Sequence, residues 1–415
     1  MRVLLFTFGL CILATCVWGF GLLFRLWRQR QLPAENIADD SMPRPPADID
    51  QAIFLKWRSP KRGVSNPHEW TNAVWQWLVE TKLNAYQANK AFGGPSSMDA
   101  GPCWCFDRFG QSETSLPDGR IVYVAGEHED FYDPDFYIYN DVVVVDTAGN
   151  VQIFCYPTTN FHPTDFHTAT LVGKYLILIG NLGYADARHP GQTQVLRLEI
   201  DTWSVSSIET SGECPGWISR HRAELSQDGR EIHIVGGLIQ QGDESSLVEN
   251  IDEWSLNLET FQWRRLTRRQ WPRFILRRED KKWNHLFEMR NLVFERKIAE
   301  RDKKYEKRYV AAKKELKKKL GSFPDLTLLE MLYKPDIATE VVSENILEDD
   351  EEDFNTHRIR VDGVTVRYVE DMYEILLTVE GDLPQEVIEV LKTDVVDKLA
   401  ALERSPIVCE AIPFE

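Results

Sequence analysis

The sequence FHTATLVGKYLILIGN, residues 166–181, places a histidine just ahead of an apolar run that ends at a glycine. Residues 220–237, RHRAELSQDGREIHIVGG, repeat this arrangement. A catalytic group or ligand is needed once in a site, whereas a packing residue is needed in every copy of a repeated unit. The recurrence therefore favours a structural role for His167 and His221.

The glycines that end these runs belong to a longer series. IVYVAG, YLILIG and IHIVG end at Gly126, Gly180 and Gly236, which are 54 and 56 residues apart. A shorter run and a turn come before each of them, and a polar loop and two further β-like stretches come after. Four short strands recurring at such a period are typical of the blades of a β-propeller.

These units resemble kelch repeats, the blades of the kelch and galactose-oxidase-type β-propellers, over roughly residues 104–268. The resemblance rests on the His-x-Ala that begins at His167 and at His221, on the strand-ending glycines, and on Trp203 and Trp263. It implies a kelch-like β-propeller in which the two tryptophans pack between neighbouring blades. In the first unit, Ser112 stands where the histidine would be.

Three units are fewer than the four to eight blades with which propellers usually close. Flanking segments could supply degenerate blades, helices could cap the stack, or a homo-oligomer could complete the propeller. The sequence leaves these three possibilities open.

Residues 3–24 contain no charged side chain and are long enough to cross a bilayer. A cleaved signal peptide has a shorter apolar region followed by a small-x-small site. Arg25, Arg28 and Arg30 follow the run, and the positive-inside rule then favours a cytoplasmic body. The sequence predicts a single-pass membrane protein, and cysteines without framework spacing agree with a reducing cytoplasm.

Beyond Trp271 the apolar period becomes helical, and residues 264–319 hold 22 Lys or Arg against 8 Asp or Glu. We expect a long, mostly exposed basic helix here, and a hairpin around Asp362-Gly363 in a small domain after it.

The predicted fold is mainly β: an incomplete or degenerate kelch-like β-propeller with an N-terminal transmembrane helix, the long basic helix and a small C-terminal α+β domain. The predicted segments are an anchor at 1–30, a linker at 31–65, a helical segment at 66–92, the propeller at 104–270, a basic helical region at 272–335, an acidic linker at 343–356 and the α+β domain at 357–415.

The formal net charge of −17 argues against nucleic-acid binding by the chain as a whole. The basic segment could contact nucleic acid or anionic lipid, or its charges could be solvated or paired with the acidic linker.

The loop at 126–141, GEHEDFYDPDFYIYND, is the candidate binding site because loops at one end of a propeller bind ligands. Carboxylates with a histidine could hold a divalent cation, although the same residues could be a solvated loop anchored by its aromatic side chains. No catalytic residue, cofactor or metal ligand is assigned from the sequence. The candidate binding residues are Glu127, His128, Glu129, Asp130, Asp133 and Asp135.

The sequence predicts a membrane-anchored, kelch-like scaffold for an unidentified protein partner, rather than an enzyme. The alternative is a membrane-tethered carbohydrate-active or metal-dependent enzyme that uses the loop at 126–141.

Overall fold

The computed structural model describes residues 43–95, 100–128, 136–240, 247–337, 340–341 and 355–413. The chain forms two compact units that divide between Arg269 and Gln270. We call them the sheet unit, up to Arg269, and the C-terminal unit. The apolar run at 3–24 and most of the predicted acidic linker lie outside the described residues. Within the described part, no helix is long and apolar enough to cross a membrane.

Three antiparallel sheets, each a meander of four strands in sequence order, form the sheet unit. They confirm the three predicted repeats of four strands. Sheet 1 consists of Ser112–Ser115, Ile121–Val124, Asp141–Val145 and Val151–Cys155. Sheet 2 consists of Thr168–Val172, Tyr175–Ile179, Val195–Glu199 and Val205–Ser207. Sheet 3 consists of Arg222–Leu225, Glu231–Val235, Trp254–Asn257 and Gln262–Arg265.

Sheet 2 is apolar on both faces because it lies between the other two sheets. Successive side chains of a strand point to opposite faces. Leu176 and Leu178 therefore pack against sheet 1, whereas Ile177 and Ile179 pack against sheet 3. As predicted, Trp203 is buried between sheets 1 and 2, and Trp263 between sheets 2 and 3.

The first strands of neighbouring sheets lie beside each other, whereas the fourth strands lie at the outer edges. Other parts of the chain cover each outer edge. His68–Glu69 pairs with the last strand of sheet 1, and Ser211–Gly212 pairs with that of sheet 3. At sheet 2, the side-chain amide of Asn66 donates to the carbonyl of Val205, and its oxygen accepts from the Val205 N–H. The outer edges of sheets 1 and 3 are thus paired, and that of sheet 2 is capped at Val205.

Helices cover the face of sheet 1 that points away from sheet 2. They are Gln51–Trp57, Ala73–Thr81 and Ala85–Phe92. The first of these lies where the sequence predicted a linker. Asp50 caps it through the N–H of Ile53, and Phe54 is fully buried, so a single buried side chain docks this short helix.

The opposite end of the stack is polar. Glu224, His233, Ser255 and Arg264 are register neighbours across the outer face of sheet 3. Three of the four are exposed, and Ser255 donates a hydrogen bond of 2.8 Å to Glu231 on the same face. Sheet 3 therefore ends the stack with a hydrated surface.

The C-terminal unit joins two segments that the sequence analysis separated. Its six-stranded sheet has the order Glu340–Val341, Thr356–Val361, Val364–Glu370, Glu374–Val379, Arg273–Arg278 and Ile407–Ala411. The strand at 273–278, which lies in the predicted basic helical region, is an interior strand of this sheet, paired on both sides. Its apolar residues Phe274 and Leu276 share one core with the helices and the C-terminal strands.

The predicted long basic helix is two helices that pack against each other, Leu286–Arg301 and Glu306–Leu320. The break falls at Asp302, which is extended and whose side chain accepts from the N–H of Lys304. Thr327–Met331 and Gln385–Glu403 are the other helices of this unit. At the predicted hairpin, Asp362 and Gly363 both have positive φ, as a type I′ turn requires.

Candidate functional site

The loops between the sheets gather at one end of the sheet unit, which we call the loop end. In a four-stranded meander, the connection between the second and third strands and the chain leading to the next sheet leave from the same end. The described residues of the loop end are 125–128, 136–141, 156–167, 180–194, 208–221, 236–240 and 247–253.

Most buried polar side chains of the sheet unit lie at the loop end, where many of them form hydrogen bonds with backbone groups outside the strands. Asn140 donates to the carbonyls of Tyr156 and Phe161. Thr193 donates a bond of 2.8 Å to the carbonyl of Gly216. Such bonds fix the loops to each other rather than leave polar groups free for chemistry. The buried polar residues are Glu127, His128, Asn140, Asp141, Thr164, Asp165, His167, Asn181, Arg188, Thr193, Ser219, His221, Gln240, Asn250 and Asp252.

Two small β-ribbons lie at the loop end. Glu127–His128 pairs with Tyr137–Ile138 in the first ribbon. In the second, Leu238–Gln240 pairs with Leu247–Glu249 on one side and with Ile218–Ser219 on the other. Each ribbon supports a segment that lies outside the described residues, 129–135 with the sequence EDFYDPD and 241–246 with QGDESS. Both supported sequences are acidic.

The predicted binding residues divide between a ribbon and the segment that it supports. Glu127 and His128 are 9% and 6% exposed. The backbone of Glu127 exchanges two hydrogen bonds with Phe109, and a ring nitrogen of His128 lies 3.2 Å from the carbonyl of Asp107. These two residues therefore form the base of the loop. Glu129, Asp130, Asp133 and Asp135 lie outside the described residues.

A buried ion pair that the sequence did not indicate lies beneath this ribbon. Arg108 pairs with Asp141, and its side chain is 0% exposed. The same guanidinium donates to the carbonyls of Cys105 and Ala125 and lies over the ring of Tyr139, 3.4 Å from its centroid. Burial lowers the pKa of Arg108, but the charge and hydrogen bonds of Asp141 outweigh it and raise that pKa. Arg108 therefore stays charged, and its contacts with Asp141 fix the start of sheet 1.

Asp165 is a second buried carboxylate at the loop end. Burial raises its pKa to about 6, although the N–H of Gly183 donates to it at 2.6 Å and Arg220 and Arg188 favour the charged form. Arg188 itself donates to the carbonyl of Leu182 and to Gln240, and so links the sheet 2 loop to the second ribbon. Asp165 therefore holds loops together and titrates near neutrality.

His167 and His221 occupy equivalent positions between sheets, as their recurrence predicted. His167 Nε2 shares a hydrogen bond of 2.9 Å with the hydroxyl of Ser112, on the first strand of sheet 1. His221 Nε2 shares one of 3.0 Å with the hydroxyl of Thr168, on the first strand of sheet 2. We call these contacts the histidine clasps.

The strand register corrects the expectation for Ser112. Ser112, Thr168 and Arg222 pair with Val124, Ile179 and Val235 at the ends of the second strands. Ser112 therefore holds the hydroxyl position of a clasp rather than the histidine position, and the residue equivalent to His167 is Gln111. At sheet 3 the hydroxyl position is occupied by Arg222.

Burial keeps both clasp histidines neutral. It lowers the pKa of His167 to about 4. Burial, together with the nearby His167, lowers the pKa of His221 to about 3. Gly180 is part of the same contact, because a Cβ atom there would lie 2.5 Å from Cε1 of His221. The repeated histidine and glycine thus form the joint between sheets.

Across the described ranges, no three His, Cys, Asp or Glu side chains are grouped so that they could hold a metal ion.

Comparison with known proteins gives a partial structural likeness. No family model matches the sequence, and no curated protein matches it. Among solved structures, the chain is similar to that of YjhT, a kelch-repeat propeller protein, with 14% sequence identity and a TM-score of 0.30. The match covers 40% of this chain and 52% of that chain, so it spans about half of YjhT.

Proposed function

We propose that this chain is a membrane-tethered, kelch-like interaction scaffold whose loop end binds a protein partner. Residues 3–24 would form the tether, and the stacked sheets would form the rigid support. The acidic sequences at 129–135 and 241–246 would face the partner, which should present basic side chains.

The two ribbons at the loop end are the observation that carries this proposal. The faces of sheets 1 and 2 are covered by other layers. Added strands pair with the outer edges of sheets 1 and 3, and Asn66 caps that of sheet 2 at Val205. The two acidic sequences lie in the chain connections that these ribbons begin and end. Rigid scaffolds present binding segments in this way, since stability rests on the strands beneath them.

The polar outer face of sheet 3 is evidence on whether a fourth sheet packs onto the stack. A fourth sheet would need an apolar face to pack against, as sheets 1 and 2 have. Glu224, His233 and Arg264 occupy that face instead, and Arg222 replaces the hydroxyl that another clasp would use. We therefore favour a stack of three sheets over a propeller completed by a second copy.

The proposal is tested by removing acidic charge from the loop while sparing its base. The variant Glu129→Gln, Asp130→Asn, Asp133→Asn should leave thermal unfolding unchanged. Proteins that copurify with the full chain in detergent are identified, and the Kd of each purified candidate is measured. For a partner of the loop end, the variant should weaken the Kd by about tenfold or more.

A matched control carries the same loss of three charges away from the loop end. Asp201→Asn, Glu224→Gln, Glu259→Gln changes exposed residues on turns and on the outer face of sheet 3. An equal Kd for the loop variant, the control and the unaltered chain would contradict the proposal. A divalent ion that the full chain retains and only the loop variant loses would favour the metal-dependent enzyme instead.

A further inference from the structure

The helix Glu306–Leu320 in the C-terminal unit has two very different sides. Its inner side, formed by Tyr309, Ala312, Leu316 and Leu320, packs into the core of the unit. With 3.6 residues per turn, the opposite side is formed by positions 307, 310, 311, 314, 317 and 318. All six positions are exposed.

Lysine dominates this outer side, and the exposed Glu315 lies at its edge, one turn from Ala311 and from Lys318. We call Lys307, Lys314, Lys317 and Lys318 the basic face. Val310, which is 55% exposed, and Ala311 lie among these lysines. The basic face extends over about 16 Å along the helix axis, at a rise of roughly 1.5 Å per residue.

Several other cations of the two helices, in contrast, have acidic partners. Arg290 pairs with Glu370, and Arg308 contacts Glu295 at 2.7 Å. Lys319 contacts Glu288 at 3.1 Å. Within the part of the chain that the structure describes, the four lysines of the basic face form no ion pair.

The stability of the helix does not account for this arrangement. Lys314 lies one turn from Lys317 and Lys318, and like charges at such spacings destabilise a helix. A face that concentrates this repulsion and buries nothing is suited to an external anion. We infer that the basic face binds the surface of an anionic lipid bilayer.

Three features favour a bilayer over a nucleic acid. Lysine is a flexible point charge that suits a fluid array of headgroups, whereas the planar fork of arginine suits fixed phosphates. Val310 and Ala311 can enter the interface between the lysines, as apolar residues of surface-bound helices do. The choice also rests on the proposed tether at 3–24, which would hold the chain at a membrane.

Hydrogen exchange of the full chain tests the inference directly. The chain is mixed with vesicles of phosphatidylcholine alone, or with vesicles in which about a third of the lipid is phosphatidylserine. Amide exchange in residues 306–320 should be at least about fivefold slower on the anionic vesicles, and about 0.5 M salt should abolish the difference. Binding of the full chain to phosphatidylcholine vesicles alone reports on the tether, whereas the added protection on anionic vesicles reports on the basic face. Failure of the tether and failure of the basic face are therefore distinguishable.

Two variants separate the basic face from total charge. The variant Lys307→Gln, Lys314→Gln, Lys317→Gln, Lys318→Gln should lose the added protection. The control Lys281→Gln, Lys282→Gln, Lys297→Gln, Lys303→Gln removes equal charge from exposed positions elsewhere in the unit and should keep it. Equal exchange on both lipids would overturn the inference, as would protection by a DNA duplex without protection by anionic vesicles.

Discussion

The sheet unit and the C-terminal unit join their layers by different chemistry. Neighbouring sheets are joined by apolar side chains and by the two histidine clasps, which are neutral. The C-terminal unit instead uses buried glutamates. Glu403 accepts from the backbone N–H of His285 at 2.7 Å and from Arg278 at 3.0 Å, and so secures the start of the helix Leu286–Arg301.

Glu370 anchors the same helix to the sheet. Arg290 donates to it at 2.8 Å and the hydroxyl of Tyr333 at 2.7 Å. Burial disfavours its ionised form, but the hydrogen bonds and charges of His357 and Arg290 outweigh burial and lower its pKa to about 2. A neutral clasp can be repeated along a stack, whereas a buried ion pair fixes one arrangement of its layers. The clasps and the buried ion pairs should therefore respond differently to mutation and to acid.

The largest loss in the free energy of unfolding is expected from neutralising Glu370. Glu370→Gln leaves Arg290 without its charged partner, and breaking a buried pair in this way costs about 3–5 kcal/mol. Urea unfolding followed by hydrogen exchange in the strand Val364–Glu370 measures the loss. Glu389→Gln, which removes an exposed pair with Lys392, is the control and should leave the free energy of unfolding unchanged. Equal stability of the two variants would show that the buried pair is not needed.

A smaller effect is expected from breaking one clasp. Thr168→Val keeps the shape of the side chain but leaves His221 Nε2 buried without its hydroxyl, at a cost of about 1–3 kcal/mol. Thr170→Val changes a hydroxyl two residues along the same strand and should stay within about 0.5 kcal/mol of the unaltered chain. Native-state hydrogen exchange in Thr168–Val172 compares them. If both variants lose the same stability, the clasp contributes no more than an ordinary strand hydroxyl.

The smallest effect is expected at the basic face, where no layer is joined at all. Replacing its four lysines by glutamine removes like-charge repulsion and should stabilise the helix by only a few tenths of a kcal/mol, about 0.2–0.5. Thermal unfolding at low salt measures this change. A clear loss of stability would mean that the lysines hold the unit together rather than face a partner.

The repeats could be predicted from sequence because their signals are local. Apolar runs that end at glycine, and a histidine just ahead of the strand pair that each run completes, are visible within a short stretch of sequence. Trp203 and Trp263 were also located correctly, because a recurring aromatic in a repeat is needed between layers.

The features that the sequence did not indicate depend on distant partners. Arg108 and Asp141 are 33 residues apart and follow no period, so nothing marks them as a pair. The strand Arg273–Arg278 pairs with Glu374–Val379 and Ile407–Ala411, which follow it by roughly 100 and 130 residues, and long-range strand pairing has no local pattern. At the candidate site, sequence identified the acidic loop but could not show that Glu127 and His128 form its buried base.

Acid provides the most direct test of the difference between the units. His167 and His221 take up protons in the unfolded chain below their ordinary pKa of about 6.5, but in the folded chain only near 4 and 3. The stability that the neutral histidines contribute to the sheet unit is therefore present above about pH 6.5 and is lost as the pH falls. Asp165, whose folded pKa is about 6, takes up its proton earlier when folded and offsets part of this loss.

The C-terminal unit should behave in the opposite way over the same range. Burial raises the pKa of Asp371 to about 7, so this unit gains stability as the pH falls below 7. Because the pKa of Glu370 is lowered in the folded chain, its contribution to stability is lost only below its unfolded pKa of 4.5.

The measurement is native-state hydrogen exchange from pH 7 to pH 5, corrected for intrinsic exchange rates, in Tyr175–Ile179 and in Glu374–Val379. The opening free energy of the sheet 2 strand should fall by about 2 kcal/mol. That of the C-terminal strand should stay level or rise. A parallel fall in both strands, or an earlier fall in the C-terminal strand, would contradict the account that neutral clasps join the sheets and ion pairs join the C-terminal unit.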